Sequence, residues 1–136
     1  MTRRSCVLAI VLTLATTVLA RAEDWPEFRG PTGQGIVPRG SAPTEWGPSK
    51  NVVWKQDIPG KGWSSPVIVG GHVYLTTAVA ERNGDYALRA LCLDARTGKI
   101  EWNKEVLREE RENAPGIHPK NSHASPTPIV RGKRLF

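Results

Sequence analysis

The chain has 136 residues, a length that suits one domain, and its formal net charge is +6. Three basic residues lie within the first 22 positions, and without them 16 basic residues stand against 13 acidic ones, a net charge of +3. These later charges are interspersed and form no basic face, so the composition argues against a nucleic-acid partner.

The N-terminus has the order of features of a signal peptide. Arg3 and Arg4 precede an uncharged, mostly apolar run at residues 7–19, which is too short to span a bilayer. Small residues at Ala20 and Ala22 suit a signal peptidase, so we expect cleavage after Ala22 and no transmembrane segment thereafter. The mature protein is then periplasmic or extracellular. Both Sec and twin-arginine export stay open.

One cysteine, Cys92, is left after cleavage, because Cys6 belongs to the signal peptide. A single thiol forms no intramolecular disulfide. Cys92 lies in the apolar run of residues 90–93, and we interpret it as a small core residue rather than a reactive thiol.

Residues 23–50 are rich in glycine, proline and tryptophan. Frequent prolines forbid a regular helix, and glycines permit sharp turns. Because Trp25, Phe28 and Trp46 are unusual in a solvated linker, we expect these aromatic side chains to anchor an ordered coil on the surface of the fold.

From residue 51 onward the pattern predicts four β-strands. Hairpin signals at Gly70-Gly71 and Asn83-Gly84, and a turn at residues 94–98, separate apolar runs rich in strand-forming residues. Four strands joined by three short turns make an antiparallel meander, the unit of one propeller blade. The four predicted strands are residues 66–69, 73–80, 86–93 and 100–106.

Two internal similarities indicate a repeat. Residues 54–58 resemble residues 102–106 at an offset of 48, and residues 66–70 resemble residues 128–132 at an offset of 62. Periods in this range are typical of propellers and solenoids. Residues 107–121 are charged and broken by prolines, so we expect an inserted loop there, with at most one helical turn at residues 109–113. Coincidence between short β segments is the competing interpretation.

A large flat side chain on an outer strand can cover a turn of its own blade or of a neighbouring blade. The turn at residues 94–98 suits this role, because Asp94 can accept hydrogen bonds from the turn backbone and Gly98 permits the reversal. Burying one indole contributes roughly 3 kcal/mol or more.

Residues 92–102 resemble the tryptophan-docking motif of the quinoprotein-like, or PQQ-like, β-propeller repeat family. That motif has a small residue, an Asp, a Thr-Gly turn and then a Trp, and cysteine stands here where the family usually has alanine. The corresponding residues are Cys92, Asp94, Thr97, Gly98 and Trp102, with Trp54 as the equivalent tryptophan one repeat earlier.

Further stretches support the same resemblance. Residues 64–74 resemble the opening strands of the repeat, while residues 24–31 and 121–128 look like secreted members of planctomycete type. The resemblance implies a propeller of four-stranded antiparallel blades behind a signal peptide at residues 1–22 and a coil at residues 23–50. Residues 51–136 would then hold about one full blade and parts of two others, truncated within a strand.

The resemblance implies an exported, non-catalytic binding or scaffold module that binds an unknown protein or ligand at its blade loops. The alternative is the N-terminal fragment of a pyrroloquinoline-quinone-dependent dehydrogenase, and a purely structural module is a third. The sequence contains no adjacent cysteines and no cluster of calcium ligands. We therefore assign no cofactor to these residues. Binding of quinone with calcium would need site residues that this sequence does not contain.

No residue is assigned to catalysis, cofactor binding or metal binding. His118 and His123 lack a third ligand near them in sequence, and His72 is expected to be exposed at the start of a strand. Asp94 and Glu101 are interpreted as turn and strand residues rather than as an acid–base pair.

We expect residues 23–136 to lack a cooperative thermal transition when expressed alone, because incomplete blades expose apolar faces and unpaired strand edges. Differential scanning calorimetry of this piece checks the expectation. A sharp transition from a soluble monomer would contradict it.

Overall fold

The computed structural model describes residues 23–37 and 43–136. The expected signal peptide and residues 38–42 of the coil lie outside the described part. Within that part the protein is all-β: its regular elements are strands, and no α-helix is formed. Consequently the described residues include no helix that is long and apolar enough to cross a bilayer.

Four strands form one antiparallel sheet in sequence order. The meander and the all-β class predicted from the sequence are thereby confirmed. The strands are β1 (Val67–Val69), β2 (His72–Ala80), β3 (Tyr86–Asp94) and β4 (Ile100–Glu109).

The first two predicted turns join strands as expected, but they differ in form. Gly70 and Gly71 both have positive φ, 60° and 83°, as a two-residue hairpin with the twist of its strands requires. The β2–β3 loop instead spans residues 81–85. Gly84 alone has positive φ there, and its N–H donates to the carbonyl of Glu81 at 3.0 Å, the length of an ordinary backbone hydrogen bond.

Strand β4 is longer than predicted and runs to Glu109. The interpretation of residues 107–109 as loop was therefore wrong. They continue the ladder because Leu107 and Arg108 pair with Leu88 and Ala87 of β3. Charged side chains there reflect an edge strand facing solvent rather than a break in the sheet.

Residues 110–114 form a single hydrogen-bonded turn rather than a helix. The N–H groups of Asn113 and Ala114 both donate to the carbonyl of Glu110, at 2.9 and 2.8 Å. The rest of the predicted loop follows as irregular chain up to residue 121.

The core lies on one face of the sheet, here called the Leu91 face. Val73, Leu91 and Leu93 are buried on it, and Leu91 has no exposed surface. Trp54 and Ile58, from the chain upstream of β1, pack against this cluster. Those two residues lie outside any strand, so residues 54–58 share sequence but not strand structure with residues 102–106 of β4.

The opposite face, here called the Cys92 face, lies against the chain downstream of β4. The ring of His123 stacks on Tyr86 with centroids 4.1 Å apart. The Thr76 hydroxyl donates to the carbonyl of Pro126 at 3.4 Å. The sheet is thus contacted on one face by residues that precede it and on the other by residues that follow it.

A second hairpin, the C-terminal hairpin, consists of β5 (Val130–Arg131) and β6 (Arg134–Leu135). Its ladder extends by two backbone hydrogen bonds between Ile129 and Phe136, each 2.9 Å long. It repeats the β1–β2 hairpin at the offset of 62 seen in the sequence.

The coil before the sheet joins the two hairpins. Trp25 exchanges two backbone hydrogen bonds with Ile68, of 2.6 and 2.9 Å, and the carbonyl of Pro26 accepts from the N–H of Val130 at 2.9 Å. Trp25 is therefore an anchor. Phe28 and Trp46, however, are 57% and 75% exposed, so the expectation that all three aromatic residues anchor the coil was wrong.

Replacing Leu91 with alanine should lower the free energy of unfolding by about 2–5 kcal/mol, because the cavity left in the core cannot collapse fully. Leu107→Ala is the matched control, since Leu107 is 53% exposed on β4 and should change stability by less than about 1 kcal/mol. Urea unfolding of the full-length protein, including the further blades that the resemblance implies, measures both. Equal losses would show that the core does not lie where the structure places it.

Candidate functional site

Residues 94–98 form the turn between β3 and β4, here called the docking turn. One carboxylate oxygen of Asp94, Oδ1, accepts hydrogen bonds from the backbone N–H of Thr97 at 2.7 Å, from its hydroxyl at 2.7 Å and from the N–H of Arg96 at 3.1 Å. The bonds from Thr97, and then that from Arg96, hold the pKa of Asp94 below its usual value. Gly98 closes the turn with φ of 73°.

Trp54 covers this turn. A Cβ atom at Gly98 would overlap the indole ring, so glycine is required there both for its positive φ and for the close approach of the ring. The indole N–H donates to the carbonyl of Ala95 at 2.9 Å, which satisfies the polar end of the ring. The docking turn thus binds a tryptophan that lies upstream of its own sheet.

Trp102 lies elsewhere. It is directly opposite Cys92 on β4, and its ring stands 6.1 Å from that of Tyr74. The structure therefore brings Trp54, Asp94, Thr97 and Gly98 together at one turn, whereas Trp102 and Cys92 lie side by side on the other face of the sheet.

A second group of polar side chains meets on the Cys92 face. His72 begins β2, Cys92 lies in β3 and Glu101 lies in β4. The Nε2 atom of His72 is 3.2 Å from the carboxylate of Glu101, and the Sγ atom of Cys92 is 3.5 Å from the same oxygen, Oε2. We call these three residues the His–Cys–Glu cluster.

A β-bulge creates this cluster. Cys92 pairs with Trp102 and Leu93 pairs with Ile100, so Glu101 is an extra residue on β4. An extra residue in a bulge turns its side chain away from simple alternation. Glu101 therefore reaches the face that carries Cys92 instead of the opposite one.

The thiol of Cys92 is buried, with 1% of the residue exposed. Burial first, and then the hydrogen bond and charge of Glu101, raise the pKa of this thiol to about 11. Burial, followed by the neighbouring Cys92, likewise raises the pKa of Tyr74. At neutral pH and without a bound cation, the thiol is protonated and donates to Glu101.

The histidines of the downstream loop have separate environments. His123 stacks on Tyr86, and Nδ1 of His118 accepts a hydrogen bond from the backbone N–H of Lys120 at 3.2 Å. The sequence places His118 and His123 five residues apart, which makes them candidate ligands, and it contains no local signal that groups His72 with Glu101. The Gly70-Gly71 hairpin could have placed His72 diagonally from Cys92, because it fixes the register of β1 with β2 and the next turn fixes that of β2 with β3.

An open pocket lies beside the hairpins and the coil. Two aromatic side chains line this pocket: Phe28 is 57% exposed and Trp63 is 65% exposed. Hydroxyl groups and one carboxylate complete the lining, from Glu27, Ser65, Ser125 and Thr127, together with Ile129.

Comparison with known proteins returned no matching family model, no matching curated protein and no matching solved structure. The class of the protein is therefore set by its fold alone: an all-β chain built on a four-stranded antiparallel meander.

Gly98→Ala should destabilise the protein by roughly 2–4 kcal/mol, the combined effect of a strained positive φ and of steric overlap with Trp54. Gly116→Ala is the matched control, because a Cβ there meets no atom within 4 Å. Thermal and urea unfolding compare the two variants. Near-equal stability would contradict the close contact between the turn and the indole.

Asp94→Asn should also destabilise the protein, in a pH-dependent way. Because folding lowers the pKa of Asp94, the stability that its carboxylate adds is present above the unfolded-state pKa of about 3.9 and is lost as pH falls through the lower folded-state value. The wild type should exceed the variant at about pH 7, and the difference should shrink below about pH 4. Urea unfolding across this range measures it, with the exposed Asp57→Asn as control.

Proposed function

We propose that this chain belongs to an exported PQQ-like β-propeller repeat protein that acts as a non-catalytic binding or scaffold module. The contact of Trp54 with Gly98 is the observation that carries the proposal. A tryptophan one repeat upstream covers the Thr-Gly turn of the next repeat, which is how a docking motif joins successive blades.

The packing of the sheet supports the same proposal. Blades of a propeller stack face to face, so each blade needs an earlier neighbour on one face and a later neighbour on the other. Trp54 and Ile58 cover the Leu91 face, while His123 and Pro126 contact residues of the Cys92 face. The C-terminal hairpin then begins the next unit at the positions equivalent to β1 and β2, and Gly132 has positive φ as Gly70 does.

A binding role is supported by the pocket at the loops. Trp63 and Phe28 expose large aromatic surfaces there, beside the carboxylate of Glu27 and the hydroxyl of Thr127. Exposed aromatic residues beside hydrogen-bonding groups are typical of surfaces that bind a protein or a ligand. Export is the part of the proposal that rests on the N-terminal sequence.

Capture of partners tests the binding role. The tagged full protein, its Trp63→Ala variant and its Trp46→Ala variant are incubated with exported proteins of the source cell. Trp46 is 75% exposed but lies away from the pocket, so its variant is the matched control. We expect the wild type and Trp46→Ala to retain the same partner. Trp63→Ala should bind it at least tenfold more weakly, because removing an aromatic interface residue costs about 1.4 kcal/mol of binding free energy or more.

Titration with quinone decides between a scaffold and a dehydrogenase. The full protein in excess calcium is titrated with pyrroloquinoline quinone and followed by absorbance and calorimetry. The scaffold proposal expects no stoichiometric complex. A one-to-one complex would replace it with the quinone-dependent dehydrogenase that the same motif also suggests.

A further inference from the structure

The His–Cys–Glu cluster gathers three kinds of metal ligand from three adjacent strands. His72, Cys92 and Glu101 each offer one ligand atom, and these atoms all lie within 4.8 Å of one another. Imidazole, thiolate and carboxylate together are the ligand types that Zn²⁺ accepts. Because the ligands stand on paired strands, the sheet itself fixes their spacing.

The distances match those of a tetrahedral zinc site. With Zn–N and Zn–O bonds of about 2.0–2.2 Å and Zn–S bonds of about 2.3 Å, neighbouring ligand atoms stand about 3.3–3.6 Å apart. The observed distances are 3.2 Å from His72 Nε2 to Glu101 Oε2 and 3.5 Å from Cys92 Sγ to the same oxygen. Two of the three edges therefore need almost no adjustment.

The orientation of His72 suits a metal ligand. Its Nδ1 atom lies 3.1 Å from the carbonyl oxygen of Gly70, and a carbonyl only accepts, so Nδ1 carries the proton. In the neutral ring Nε2 then presents a lone pair to the carboxylate of Glu101. Two acceptors at 3.2 Å repel unless a positive charge, either a second ring proton or a metal cation, lies between them. A backbone carbonyl on the other ring nitrogen is also the usual outer partner of a metal-binding histidine.

We propose that His72 Nε2, Cys92 Sγ and Glu101 Oε2 bind one Zn²⁺ ion on the Cys92 face. The thiol gives its proton to solvent on binding, and the thiolate becomes the third protein ligand. The side chains of His72 and Glu101 are 41% and 39% exposed, which leaves the fourth position open to water. This site goes beyond the proposed scaffold function and neither depends on it nor supports it.

Titration with Co²⁺ tests the site, because thiolate coordination gives Co²⁺ a near-ultraviolet charge-transfer band. The full protein, reduced and freed of metal with a chelator, is titrated with Co²⁺ and then with Zn²⁺. We expect one Co²⁺ per chain, a thiolate band, and displacement of the band by one equivalent of Zn²⁺, which binds N/S sites more tightly than Co²⁺.

Variants assign the ligands. Cys92→Ala should abolish the band, and alanine is small enough to keep the core folded. His72→Gln and Glu101→Gln, at half-exposed positions, should each weaken Zn²⁺ binding by at least about tenfold, the loss seen even when an outer partner is removed. His118→Gln is the matched control, since His118 is exposed in the downstream loop, and it should bind as the wild type does.

Three results would overturn the proposal. The first is a folded wild type that shows no Co²⁺ band, which would leave His72 as an imidazolium paired with Glu101. The second is a band that survives Cys92→Ala. The third is Zn²⁺ affinity that falls with His118→Gln and not with His72→Gln. Circular dichroism of each variant checks that the fold is intact, and Zn²⁺ should raise the melting temperature of the wild type and of His118→Gln but not that of Cys92→Ala.

Discussion

The structure depends on the contact between an indole ring and a glycine. Trp54 lies on the docking turn, and Gly98 provides both the backbone conformation that closes the turn and the space that the ring occupies. The Asp94 carboxylate holds the turn in shape for that contact. With the indole in place, the Leu91 face has a cover, and the sheet no longer exposes its core to water.

The strands and the main turns could be predicted from the sequence because their signals are local. Apolar runs rich in strand-forming residues define β2 and β3, and the Gly70-Gly71 pair permits the positive φ that a two-residue hairpin needs. The end of β4 could not be predicted this way. Its last residues are charged, and only pairing with the start of β3, a contact remote in sequence, places them in the sheet.

The residues of the candidate site likewise divide into those that a local sequence pattern predicts and those that only the fold brings together. The residues of the docking turn are consecutive, so a short pattern reveals them, and Trp54 follows from the internal repeat. The His–Cys–Glu cluster depends instead on a single extra residue in β4. Because strict alternation would send Glu101 to the opposite face, no reading of the sequence with a period of two brings it to Cys92. The exposure of Phe28 and Trp46 could not be predicted for a related reason, since composition does not show which aromatic side chains pack against the rest of the fold.

The backbone bonds of the N-terminal coil have a consequence for the order of folding. Pro26 bonds to Val130, and the Glu27 carboxylate accepts from Arg131 at 2.9 Å across 104 positions of sequence. The earliest part of the described chain to be synthesised therefore reaches its final partners only after residue 131 has emerged. Closing such long loops is slow compared with forming the local hairpins of the meander. Pro26 and Glu27 are thus among the first residues to leave the ribosome and among the last to reach their partners. Until then only the bonds between Trp25 and Ile68 hold the coil on the outer edge of β1.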